Sequence, residues 1–296
     1  MQLSRKGELV KHFFRLFFLG CSTLLFAAPS VSVSLLPQKY FVEHIAKDAV
    51  HVNVMVPSGT SPHTYEPKPA QMKALAQSDA YFAIDDSFEK TWLPKFKDLN
   101  PKMRIVNTAE GIEKIAMSEH HHEGEAAQAE HDHKEGLDPH IWLDPILVKT
   151  QARHIYETLT ALYPEHQEAF TQNYRAFLTQ IDTLDATIRR NLQTVQHRKF
   201  IVFHPSFGYF AKRYDLEQIA IEVSGKEPKP AELAHLIAEA KEEEARVVFV
   251  APQFSQKSAQ TIAKQIGGKT LTIDPLSYAW EENLLAIAHT FQTALK

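Results

Sequence analysis

The chain has 296 residues, 44% hydrophobic and 23% charged, enough for two domains with ordinary cores. A net charge of -4 and the lack of a Lys/Arg-rich run exclude an electrostatic nucleic-acid binder. The single cysteine, Cys21, excludes a disulfide framework. Residues 1–30 read as a secretory leader: Arg5, Lys6, Lys11 and Arg15, then apolar LFFLGCSTLLF at 16–26, then AAPS at 27–30. The apolar run is too short to anchor in a bilayer. Cleavage at that exit removes Cys21 and leaves a net charge of -7; Gly20-Cys21 is the alternative, a site of lipid attachment.

VSVSLL at 31–36 predicts a strand, and YFVEHIAKDAV at 40–50 a helix. HVNVMVP at 51–57 alternates Val52, Val54 and Val56, the period of a strand, and ends on proline. PAQMKALAQS at 69–78 predicts a helix, AYFAI at 80–84 a strand, FEKTWLPKF a helix and MRIVN at 103–107 a strand. This alternation predicts a parallel sheet covered by helices. Residues 115–137 break it with charge, histidine and small residues, and read as a mobile loop.

Beyond Pro164, Phe170, Tyr174, Phe177, Ile181, Leu184, Ile188 and Leu192 recur at three and four, the stripe of a helix over 165–194. Such a helix, about 45 Å long, is expected to be a spine joining two lobes; a coiled-coil dimerisation arm is the alternative to a monomer. A second α/β pattern follows, with strands FIVF at 200–203, RVVFV at 246–250 and KTLTI at 269–273, and helices at 230–245, 258–267 and about 281–295. The expected organisation is one lobe over 31–160, a linking helix over 161–196 and a second lobe over 197–296.

Candidate chemistry gathers where strands stop. SPHTYEP at 61–67 holds His63, DPHIWLDP at 138–145 holds His140, FHPSFGYF at 203–210 holds His204, and IDPLS at 273–277 holds Asp274. Ligands of open α/β sheets bind outside the carboxyl ends of strands, and three imidazoles with one carboxylate complete a tetrahedral Zn²⁺ shell. Two donors would come from each lobe, with the ion in the cleft between them. Prolines 62, 139, 205 and 275 flank these positions and limit backbone freedom there. With sixteen histidines in the chain, each alone carries little, and no local ligand spacing links them. Asp274 could equally cap the turn that follows it.

The stretches VSVSLLPQKYFVEHIA, VMVPSGTSPHTYEPKPAQMKAL, LDPHIWLDP, FIVFHPSFGYFAKRY, EVSGKEPKPAEL, APQF and TIDPLS occur in order from 31 to 277. In them the chain resembles the metal-specific solute-binding proteins of bacterial ABC importers, in particular the periplasmic zinc-binding branch. The resemblance implies two α/β lobes joined by a long helix and metal at their interface. It also implies delivery to an ABC permease in the cytoplasmic membrane rather than catalysis. It assigns metal binding to His63, His140, His204 and Asp274. Manganese-handling relatives typically carry Glu where this chain has His204, and imidazole suits zinc. Two departures stand out: Ala251 where relatives often have Glu, and no cysteine for the disulfide some relatives form.

Capture of Zn²⁺ for import is the expected function. A metal-binding adhesin, a periplasmic zinc buffer and a zinc-dependent hydrolase are the alternatives, the last needing an open coordination position and Glu66 as acid/base. In the loop, SEHHHEGEAAQAEHDH at 118–133 sets His120, His121, His122, His131 and His133 among carboxylates. With no strand or helix expected beneath them, these histidines would lose entropy on ordering around a metal. They are expected to be an accessory collector or sensor of abundant zinc, the alternative being a merely solvated insertion.

Overall fold

The computed structural model describes residues 28–117, 136–222, 230–242 and 245–295. The expected leader lies outside them except for its last three residues, and so do His120, His121, His122, His131 and His133.

In the first lobe β1 (Ser30–Val33), β2 (His51–Val54), β3 (Ala80–Ala83) and β4 (Arg104–Asn107) form a parallel sheet in the order β2-β1-β3-β4. Val31 pairs with Val52 on one side and Ala80 on the other. Every residue of β3, AYFA, is buried, as expected of a parallel strand with both faces covered. The covering helices are α1 (Leu36–Ala46), α2 (Pro69–Leu75), α3 (Ser87–Leu99) and α4 (Pro145–Leu162). Helix α1 begins earlier than the apolar pattern suggests. Pro37 supplies a helical φ, and the Gln38 side chain accepts from Leu35 N at 3.0 Å while donating to Phe82 O at 2.9 Å. It stops at Lys47, whose φ of 50° is left-handed.

The second lobe repeats the order: β5 (Lys199–Val202), β6 (Glu217–Ala220), β7 (Val247–Val250) and β8 (Lys269–Thr272) form a parallel sheet β6-β5-β7-β8. Between the lobes runs α5 (Gln167–Leu192), whose apolar stripe is buried at Phe170, Phe177, Ile181, Leu184, Ile188 and Leu192. That stripe packs on α1, on α4 and on α9 (Trp280–Ala294), so it is consumed within the chain rather than offered to a coiled-coil partner. The remaining helices are α6 (Gly208–Arg213), α7 (Pro230–Glu242) and α8 (Gln256–Gln265). The architecture is two parallel-sheet lobes, each covered by helices and joined by a long helix, with strand ends facing a common cleft.

Three buried hydrogen bonds fasten the lobes beside that cleft. Trp142 Nε1 donates to Pro275 O at 2.7 Å, Trp280 Nε1 donates to Trp142 O at 2.7 Å, and Tyr209 Oη donates to Asp138 O at 2.9 Å.

Candidate metal centre

Three of the four expected donors converge. His63 stands on the loop between β2 and α2, His140 immediately before a 3₁₀ turn at Ile141–Leu143, and His204 two residues beyond β5. Ring nitrogens of the three lie within 4.8 Å of one another. The Nε2 atoms of His63 and His204 are 3.3 Å apart. Two nitrogens bound to one tetrahedral Zn²⁺ at 2.0–2.1 Å are separated by about 3.3 Å. The spacing suits a first-row divalent ion without rearrangement of that pair.

Each imidazole is tied at Nδ1, which leaves Nε2 for an ion. His140 Nδ1–H donates to Asp138 Oδ1 at 2.7 Å, and the same oxygen accepts from His140 N at 2.8 Å. His204 Nδ1–H donates to Glu222 Oε2 at 2.6 Å, and its ring stacks on Phe254 with centroids 4.6 Å apart. His63 Nδ1 meets Ser87 Oγ at 2.9 Å. Asp138, Glu222, His140 and His204 are all buried, whereas His63 is exposed at the rim. Such carboxylate–imidazole pairs fix the tautomer and ring angle of metal ligands.

The electrostatics favour the neutral form of His63 and His204. Although His63 as a residue is open to solvent, its ring lies against that of His204, and desolvation there lowers its pKa to about 4, with His204 and then His140 adding to the effect. Burial also lowers that of His204, partly offset by its hydrogen bond to Glu222. A neutral imidazole has the lone pair a metal needs. Asp86, on the wall of the same crevice, has its pKa raised mainly by burial.

The crevice is lined by the three histidines with Asp86, Trp142 and Phe254, and it admits little more than a water-sized body. That suits an ion. Glu66, the acid/base of the hydrolase alternative, is exposed and does not line it. Asp274 lies outside the histidine group. Its Oδ1 accepts from Gln253 Nε2 at 2.9 Å and Leu276 N at 3.0 Å.

Sequence reasoning passed over Asp138, Glu222, Ser87 and Phe254. Asp138 had a signal, since an acid two residues before a ligand histidine can reach back to its ring; Glu222 opens the family-like stretch EVSGKEPKPAEL, but its approach to His204 could not be read without β6.

The zinc-uptake family described as "Zinc-uptake complex component A periplasmic", ZnuA, matches residues 31–295. The high-affinity zinc uptake system protein ZnuA of Bacillus subtilis is 31% identical over 250 residues, covering 83% of this chain and 78% of that protein. The zinc-binding lipoprotein AdcA of Streptococcus pneumoniae (R6) is 29% identical over 276 residues, covering 92% of this chain and 55% of that protein. The chain thus spans about half of AdcA's length. A crystal structure of a ZnuA deletion mutant with zinc bound matches with a TM-score of 0.83 at 42% identity, covering 91% of this chain and 98% of that one. These are extracytoplasmic metal-binding transport components, not catalysts. With residues 31–295 matched as one unit, the chain belongs to the ZnuA/AdcA family of solute-binding proteins of bacterial metal uptake.

Proposed function

We propose that the protein captures Zn²⁺ outside the cytoplasm through His63, His140 and His204 and delivers it to an ABC permease of the cytoplasmic membrane. The carrying observation is the convergence of three ring nitrogens, from both lobes, within 4.8 Å. Imidazole-rich donor sets favour zinc over manganese, and the zinc-named relatives support the same cargo. Asp274 is the fourth donor, through its Oδ2, while Oδ1 keeps its bonds from Gln253 and Leu276. Release from the leader gives a periplasmic protein; lipidation at Cys21 would give the same domain tethered to the membrane.

The test has two parts. Calorimetry on the mature chain should show tight zinc binding with loss of affinity in His204→Ala. Zinc-loaded protein added to its permease in liposomes should stimulate ATP hydrolysis and zinc entry. Absence of tight binding, or a metal-dependent turnover abolished by Glu66→Gln with metal retained, would sink the proposal.

A further inference from the structure

The three histidines are not held alike. His140 and His204 are buried, and each donates from Nδ1 to a buried carboxylate, at 2.7 Å and 2.6 Å. His63 is exposed, rides a loop, and among the described residues its Nδ1 meets only the Ser87 hydroxyl, at 2.9 Å. A carboxylate behind an imidazole both orients it and raises its basicity toward the metal, whereas a neutral hydroxyl orients it with little gain in basicity. Nor is Ser87 needed to cap its helix. The cap of α3 is Asp86, whose Oδ1 accepts from Glu89 N at 3.2 Å.

We propose that His63 is the ligand through which zinc enters and leaves. Ser87 is the positioning residue that keeps the bond from His63 the weakest of the three, and Asp138 and Glu222 hold His140 and His204 as a standing pair. The inference rests on the reading of the three histidines as a zinc site. Release of an ion from several donors proceeds one bond at a time, so the weakest and most exposed donor departs first. Its departure opens the solvent side of the crevice, where a receiving donor can attach before the buried pair lets go. A carrier needs this compromise, because a third carboxylate-backed imidazole would hold the ion longer than delivery allows.

The experiment is rapid mixing of Zn²⁺-loaded protein with excess chromogenic chelator, alongside equilibrium competition titration, on wild type, Ser87→Ala, Ser87→Asp and Glu222→Gln. Ser87→Asp should slow release about tenfold or more, and Glu222→Gln should weaken affinity about 10–100-fold. Ser87→Ala should hasten release while changing association less. An acidic residue in the first turn of α3 is favourable to the helix and position 87 is exposed, and urea unfolding checks that Ser87→Asp is folded beside the buried Asp86 and Glu89. The slowing should persist at about 1 M salt, where charges are screened beyond roughly 3 Å. Release rates of both Ser87 variants indistinguishable from wild type, with zinc still bound, would overturn the inference and leave the zinc site standing. A slowing that vanishes in high salt would overturn it as well, since only the overall field would be acting. A wild-type protein that binds no zinc would overturn both readings.

Discussion

Gly208→Ala tests how tightly the scaffold controls the ion site, because this glycine touches no expected ligand. Gly208 opens α6, and a Cβ there would lie 2.6 Å from Asp138 Oδ2, 3.3 Å from Gln218 Nε2 and 3.3 Å from Ile115 Cδ1. Its φ is not left-handed, so space alone demands glycine. Relief of the 2.6 Å contact requires Asp138 to move by several tenths of an ångström. Oδ2 has no hydrogen bond to restrain it among the described residues, but Oδ1 holds both His140 N and His140 Nδ1. Turning the carboxylate therefore loosens His140. Overpacking should lower stability by about 1–3 kcal/mol. Loss of the orienting bond should weaken zinc about 10–100-fold, or about 1.4–2.8 kcal/mol of binding. Urea unfolding of the metal-free protein reads the first quantity and competition titration the second. In an Asp138→Asn background the added Gly208→Ala should cost little further affinity, since its route to His140 is already cut. Wild-type affinity in Gly208→Ala, or an equal further loss in both backgrounds, would refute the coupling.

Trp142→Phe should destabilise the fold by about 1–3 kcal/mol beyond its lost packing, because the buried Pro275 carbonyl loses its donor; urea unfolding checks it. Met117 N donates to Gly136 O at 3.1 Å and Ala116 bridges Leu137, so a two-residue Asn-Gly turn can replace residues 118–135. That deletion should weaken zinc binding far less than His204→Ala, and equal losses in calorimetry would contradict the primary site assigned here. Below pH about 6.5 the unfolded chain protonates His63 while the folded chain, with its pKa near 4, does not. The metal-free protein should therefore be insensitive to His63 above pH 6.5 and lose stability as pH falls from there toward 4. His63→Ala should flatten the melting-temperature profile in that window, and an unchanged profile would count against the shift.

The alternation of strands and helices was legible because inner strands such as β3 and β7 are buried on both faces and read as continuous apolar runs, AYFA and VVFV, while the edge strand β2 shows itself by alternation. β6 escaped notice because EQIA carries Glu217 and Gln218 in a four-residue strand. Missing β6 concealed Glu222, since its approach to His204 depends on β6 lying beside β5. Helix α4 was hidden for another reason: its start, DPHIWLDP, reads as a ligand motif, and Asp144 caps a helix there by accepting from Ile146 N. The histidines themselves were legible from strand ends. The Asp274 carboxylate was legible in part: its bond from Leu276 N is the turn cap its sequence allows, whereas its bond from Gln253 comes from a residue 21 positions away.

The fastening of the lobes bears on how the ion is taken up. Trp142 lies two residues after His140, and its indole reaches Pro275, the neighbour of Asp274, in the other lobe. Trp280 returns the bond to Trp142 O, and Tyr209 pins the Asp138 carbonyl across the same gap. A hinge that opened the cleft widely would break all three buried bonds, each worth roughly 1 kcal/mol net and more if its partner is left unsatisfied. It would also shear α5 from α1 on one side and α9 on the other, exposing Phe177 and Phe41. The binding energy of one ion would have to restore that packing at every cycle. Movement of the exposed His63 loop breaks none of these bonds. Small-angle scattering of the mature protein should therefore give the same radius of gyration with and without zinc. A measurable contraction on binding, as rigid-body domain closure would produce, would show that the tryptophan ties open and that capture is a motion of whole lobes.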